Sequence, residues 1–348
     1  MYFEANRMDE KKMFQPSPML LETDPLVLTT GLFKPGEAEA FCERIENETR
    51  RAQAKAELRY FQGEAQTANA LFREIADKAG DDDLPAAILG TVMTSLAGGD
   101  PRDVIRIYEF AKSLESDRSS AELSRISSAL LLYFNMLLHN LSAIRIPTLG
   151  PDAFAVPKSI RPMAIYVYTG FLLSKGDVGR AIGLAEGALV FMDRPCPVSE
   201  IYLALIVSSG YMLKKEWDKA EYYFHYAWSR AKPDGLYMPF AEHRGMLSGM
   251  LEKCLRYEEP QAYKRISELS GAYQKRWVFV HNALTGDEIS DALTAIEYNV
   301  ASLASKGLSN AEIADFLGIA VNSVRAHLRN IFNKLNIGNR KELAKYVL

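Results

Sequence analysis

Between Val321 and Leu335 the residue types are sorted by face. On a helix of 3.6 residues per turn, Asn322, Arg325, Ala326, Arg329 and Asn333 fall on one stripe. Such side chains suit one kind of chemistry. The planar guanidinium fork of an arginine meets the O6 and N7 acceptors of guanine at the same time, and a small residue such as Ala326 lets the helix approach base edges closely. Ser323, His327, Asn330 and Lys334 run along a flank, where hydroxyl, amide and ammonium donors suit phosphate oxygens. We read His327 there as a packed structural residue, not a ligand. The opposite face, Val321, Val324, Leu328, Ile331, Phe332 and Leu335, is apolar and must pack on Val300, Leu303, Ile313 and Leu317.

The elements that would hold this stripe are marked by their caps. Thr294 with Glu297, Ser309 with Glu312, and Asn339 with Glu342 each place a capping side chain three residues before a carboxylate, the signature of a helix start. Gly307 ends the first of these helices and Gly318 makes the tight turn after Leu317. Ala320, by contrast, offers no cap to the helix that follows. A short helix, a turn and a second helix with an apolar back and an Arg/Asn front is the geometry that enters a major groove. Charge agrees: from Val321 to Leu348 the bases Arg325, Arg329, Lys334, Arg340, Lys341 and Lys345 face Glu342 alone, in a chain whose net charge is −3.

The run Gly307-Leu308-Ser309-Asn310, Glu312-Ile313-Ala314, Leu317-Gly318-Ile319, Ser323-Val324-Arg325, His327-Leu328, Asn330-Ile331 and Lys334-Leu335 through Arg340 resembles the LuxR-type (GerE-like) helix-turn-helix domain. The resemblance implies double-stranded DNA as partner. It places Arg325, Ala326 and Arg329, with Asn322 beside them, on base-reading positions, and Ser309, Asn310, Ser323, Asn330 and Lys334 on phosphate-facing ones. It also implies a homodimer on DNA through a fourth helix, Arg340 to Val347, with Leu343 and Val347 exposed on one side. Two positions depart from the family pattern. Ile296 stands where an arginine is usual before Glu297, so a local ion pair is missing, and Ala320 stands where a serine usually caps the reading helix.

Upstream, apolar residues recur at three and four with Gly, Pro and Asp punctuation, so an all-α protein is expected. Ile201 to Pro233 carries Tyr211, Ala220, Phe224 and Ala227 at tetratricopeptide-like positions. Fainter copies follow Gly176-Asp177 (Ala181, Ala185, Ala188), Gly99-Asp100 (Val104, Tyr108, Ala111) and Gly63-Glu64 (Ala68, Phe72). The anchors Ala68, Val104, Ala181 and Ala220 stand 36, 77 and 39 residues apart, leaving room for a degenerate hairpin that uses the apolar helix from Ala129 to Leu138. Helices Phe240 to Leu255 and Pro260 to Val278 would close the array as a capping pair. The alternative is a plain helical bundle with the same small-residue packing.

The expected organisation is therefore an N-terminal extension (1–34), a tetratricopeptide-like array of helical hairpins (35–281), a linker (282–293) and a four-helix LuxR-type helix-turn-helix domain (294–348). The Pro-rich stretch 146–162 would be a loop, either a functional lid or an insert. Tyr166, Tyr202, Leu205 and Met212 would line an apolar concave groove for an unknown small-molecule, peptide or protein signal. Such a chain resembles the repeat and DNA-binding parts of maltose-regulator-like proteins.

Several classes are not supported. No Gly-x-x-x-x-Gly-Lys-Ser/Thr motif occurs, and the first 150 residues do not resemble a phosphoacceptor domain. Cys42, Cys196 and Cys254 are far apart and fit a reducing cytoplasm; with five scattered histidines they suggest no metal site, no cofactor and no enzyme. No signal-peptide core or membrane-length apolar run is seen, so a cytoplasmic protein is expected. The function expected is a one-component, sequence-specific transcription regulator. The competing reading is a protein–protein adaptor that uses its last domain only to dimerise, which would have no need of Arg325 and Arg329.

Overall fold

The computed structural model describes residues 26–78, 84–116, 131, 134, 138, 161–247, 249–286, 289 and 292–347. The described residues are helical, without strands. A short helix α1 (Ala38–Glu43) precedes four hairpins, which fall where the small-residue anchors placed them. These are α2 (Glu48–Phe61) with α3 (Ala65–Lys78), α4 (Leu84–Ala97) with α5 (Pro101–Ser116), α6 (Arg161–Ser174) with α7 (Val178–Val190), and α8 (Pro197–Leu213) with α9 (Trp217–Ala231). Ala68, Val104, Ala181 and Ala220 are each fully buried, because a residue that small lets the two helices of a hairpin approach. The expected helix Ala129 to Leu138, most of the Pro-rich stretch and most of the N-terminal extension lie outside the described residues; Leu131, Phe134 and Leu138 are described and buried.

Three of the four hairpins turn in the same way, each closing on a backbone bond that reaches back five residues: Glu64 to Arg59, Asp177 to Leu172 and Glu216 to Tyr211. The residue before each donor takes a left-handed φ: Gly63 at 82°, Gly176 at 77°, and in the last hairpin Lys215 at 59°. Glycine takes this conformation without a steric penalty; lysine does not.

Two expectations about the end of the array are corrected. The helix expected from Phe240 to Leu255 is three short pieces, α10 (Met238–Glu242), α11 (Arg244–Leu247) and α12 (Met250–Leu255), with Gly249 left-handed at φ 93° before the last. The next helix, α13 (Pro260–Thr285), runs past Val278 through residues expected in the linker and stops at left-handed Gly286. It lies against the second hairpin and α10, its Arg265 and Arg276 donating to the carbonyls of Gly63 (3.0 Å) and Gly99 (3.2 Å).

The array is also not an open solenoid. Phe61 of the first hairpin meets Tyr202 of the last edge to face, centroids 6.4 Å apart. Tyr60 and Tyr202 both donate to the carboxylate of Glu242. The segment before α1 completes the closure: Glu57, 1% exposed, accepts from the backbone N–H groups of Val27, Leu28 and Thr29, while Ser199 Oγ donates to the carbonyl of Thr29 at 2.9 Å. Asp234 accepts from the N–H groups of Gly36 (2.6 Å) and Ala38 (3.0 Å).

This closure overturns the apolar groove. Leu205 is fully buried, Met212 is 2% exposed and Tyr202 5%. Tyr166 is partly buried and hydrogen-bonded to His243 Nε2 at 3.1 Å. The short helices α10 and α11 lie against α8, where an open array would leave a free face. These four residues are interior packing.

Candidate nucleic-acid interface

The C-terminal domain is built from α14 (Ala295–Ser305), α15 (Asn310–Leu317), α16 (Val321–Leu335) and a 3₁₀ turn, Arg340–Lys345. All three capping boxes form. Glu297 Oε2 accepts from Thr294 N–H at 2.8 Å, Glu312 Oε2 from Ser309 N–H at 2.6 Å, and Glu342 Oε1 from Asn339 N–H at 3.2 Å. Gly307 (φ 83°) and Gly318 (φ 64°) are left-handed, as their turns require. Ala320 occupies the cap of α16 and supplies no side-chain bond, so the missing serine is not replaced by a neighbour.

Helix α16 is sorted as its sequence dictates. Val324, Leu328, Ile331 and Leu335 are buried, whereas Asn322, Arg325, Ala326, Arg329 and Asn333 are exposed on the front. Val321, assigned to the apolar back, is 37% exposed because it sits in the first turn, beyond the core. His327 is half-buried on the flank, in keeping with a packing role. Arg325 Nη1 donates to Asn322 Oδ1 at 3.1 Å, one turn back, which holds the first guanidinium along the front.

The phosphate-facing residues separate into two groups. Ser323 and Asn330 are exposed beside the front, and Ser309 is exposed at the start of α15. Lys334 is otherwise engaged: its Nζ lies 2.7 Å from Glu297 Oε2 and 3.2 Å from the carbonyl of Ala292. Burial by itself would raise the Glu297 carboxyl, but the Lys334 ammonium and the Thr294 donors hold it below the usual range. The ion pair that Ile296 cannot provide is thus supplied from α16. Arg340 is likewise structural, donating to the carbonyls of Ala304 and Leu308 and to Asn310 Oδ1 at 3.1 Å. Asn310 therefore has its side-chain oxygen taken. Of the six cations counted in the sequence, Arg325, Arg329, Lys341 and Lys345 are exposed without these structural bonds.

The fourth element is a correction. Asn339 starts a 3₁₀ turn where an α-helix was expected, and it turns its apolar residues inward: Leu343 is fully buried and Val347 is 9% exposed. They pack on the domain's own core and do not offer an exposed dimer face.

Residues 291–347 match the family described as bacterial regulatory proteins, luxR family. The C-terminal domain is of the luxR family. Relatives reach further along the chain than this luxR-type domain. The chain is 29% identical to the HTH-type transcriptional regulator MalT of Vibrio campbellii over 31% of its own length and 14% of the relative's. It is 31% identical to the regulator of the same name in Vibrio cholerae, over 29% of this chain and 11% of the relative. It is also 42% identical to the monoamine regulon transcriptional regulator of Klebsiella aerogenes, over 16% of this chain and 25% of the relative. The matched part is thus a quarter or less of each of these regulators. No solved structure matches the chain. Among the described residues no helix is long and apolar enough to cross a membrane.

The luxR-type domain is seated against the array, a contact the sequence did not disclose. The ring of Trp217, at the start of α9, lies 5.0 Å from that of Phe316 on α15. Gly249 leaves room for Leu317, and Gly245 for the hydroxyl of Tyr298 on α14. Close by, the structure gathers three residues that looked scattered: one donor atom each from Glu221, His225 and Cys254 lies within 4.8 Å of the others. Only the first two could have been paired beforehand, since they stand one helical turn apart; Cys254 arrives from another helix.

Proposed function

We propose that the chain is a cytoplasmic, one-component transcription regulator. Its luxR-type domain reads double-stranded DNA in the major groove, and its closed helical array receives a signal. The observation that carries this is the exposed Arg325/Arg329 front of α16, which contributes nothing to the apolar back that holds the domain together. Relatives named as transcriptional regulators support it. In this reading Arg325, Ala326, Arg329 and Asn322 read bases, while Ser309, Asn310, Ser323 and Asn330 touch phosphates, Asn310 through its amide nitrogen. No catalytic step is assigned to the chain. With Leu343 and Val347 turned inward, two copies meet on DNA with little apolar contact of their own. We therefore expect a monomer in solution and two protected half-sites about one helical turn apart on DNA.

Titration of variants on specific and scrambled DNA at several salt concentrations tests the assignment. Arg329→Ala should leave thermal stability nearly unchanged, cost ~1–3 kcal/mol of specific affinity and relax preference at one base position. Lys334→Ala should do the reverse. It should cost about 1–2 kcal/mol of stability, as expected for a charged hydrogen bond discounted for partial exposure, and leave the salt dependence of binding nearly unchanged. An equal loss on both DNAs for Arg329→Ala would remove its base-reading role.

A further inference from the structure

Helix α9 presents Glu221 and His225 one turn apart, and Cys254 of α12 comes up beneath them, so that carboxylate, imidazole and thiol converge within 4.8 Å. The carboxylate and imidazole are open to solvent, with side chains 36% and 41% exposed, whereas Cys254 is 3% exposed. The thiol is also in contact with a second sulfur, Met250 Sδ, 3.5 Å away. A Glu–His pair on a helix surface is ordinary. Here a buried thiol stands within reach of the pair, so that three donors of different kinds meet in one cluster.

We infer that Glu221, His225 and Cys254 bind a zinc-class transition ion, with the fourth position left to water. The donor set selects the metal: thiolate and imidazole favour zinc and its neighbours over calcium or magnesium, which take oxygen ligands. On binding, the sulfur–metal bond forms as the thiol proton leaves to solvent, and the doubly charged ion offsets the buried thiolate. The site also touches the seat of the luxR-type domain. Lys253 Nζ lies 2.5 Å from Glu221 Oε2 and 5.8 Å from the centroid of the Phe316 ring. An ion on Glu221 takes over the charge that holds this lysine, and so loosens its hold beside Phe316. The link to DNA binding rests on the function proposed above; the metal site does not.

The test uses the full chain, freed of metal by a chelator and titrated with Co(II) as the optical probe and Zn(II) by calorimetry. One equivalent of Co(II) should bind, with a sulfur-to-cobalt charge-transfer band. Cys254→Ser should lose that band, and His225→Ala should weaken Zn(II) binding at least tenfold, each with an unchanged helical circular dichroism spectrum. Cys196→Ala, at the start of α8 and outside the cluster, should behave as the parent. Absence of Co(II) binding in the parent overturns the site, as does an unchanged band in folded Cys254→Ser. Zn(II) binding that leaves DNA affinity unaltered, in protein that still binds DNA, overturns the link through Lys253 alone.

Discussion

Glu242 shows how far a single residue's chemistry departs from what its position in the sequence suggests. It closes a five-residue helix, yet its carboxylate accepts from Tyr60 of the first hairpin and Tyr202 of the last. Burial pushes its carboxyl up to about 7, more than the two tyrosine donors pull it down. The folded protein therefore keeps this proton where the unfolded chain has lost it. The stability this confers is complete below the usual carboxylate range and is lost as pH rises through about 7. Glu242→Gln, neutral throughout, should match the parent in urea denaturation near about pH 4 and exceed it near about pH 8. His243, lowered to about 4 by burial, is common to both proteins and cancels. A difference that does not grow with pH would show the carboxyl to be ionised in the fold. None of this was legible in the sequence, because both phenols come from other helices. Arg325 and Arg329 were legible, because a helix face is fixed by local spacing alone.

At the scale of elements, the caps and turns were read correctly wherever the signal is local. Thr294/Glu297, Ser309/Glu312 and Asn339/Glu342 form the bonds their spacing implies, and the small-residue anchors locate all four described hairpins. What failed was decided by packing at long range. The break of 238–255 into three pieces and the inward turn of Leu343 both depend on partners distant in the chain. The hairpin turns offer a direct check. Lys215 holds the left-handed position that glycine fills at Gly63 and Gly176. Lys215→Gly should therefore raise stability by about 0.5–1 kcal/mol in chemical denaturation, while Gly176→Lys should lower it by a similar amount. If Lys215→Gly destabilises the protein, side-chain contacts of Lys215 outweigh its backbone strain.

For the whole molecule, one continuous apolar cluster extends from Leu26 through the array to Val347 in the luxR-type domain. Trp217 against Phe316 is the aromatic part of the bridge, beside Leu317 at Gly249 and Tyr298 at Gly245, and the reading front of α16 stays exposed while the bridge is made. The parent should therefore melt as one calorimetric transition, and Trp217→Ala should split it into two, since the two parts then share too little surface to unfold together. Two transitions already present in the parent would show that the bridge does not couple them.

The closure of the array has a consequence for how the chain is made. Gly36 and Ala38 have their partner in Asp234, and Thr29 has one in Ser199. On a ribosome the early residues must wait roughly 10–40 s for those partners to emerge. Hairpins can form as they appear, but the ring cannot shut until the tenth helix has left the exit tunnel. Closure of the array is then a late docking of the segment before α1 onto the last hairpin, unlike the stepwise propagation of an open solenoid. During that interval the turn at Leu26 to Thr29 keeps its bonds to Glu57 but lacks the cover of Ser199, so the nascent chain exposes apolar surface that the finished protein buries.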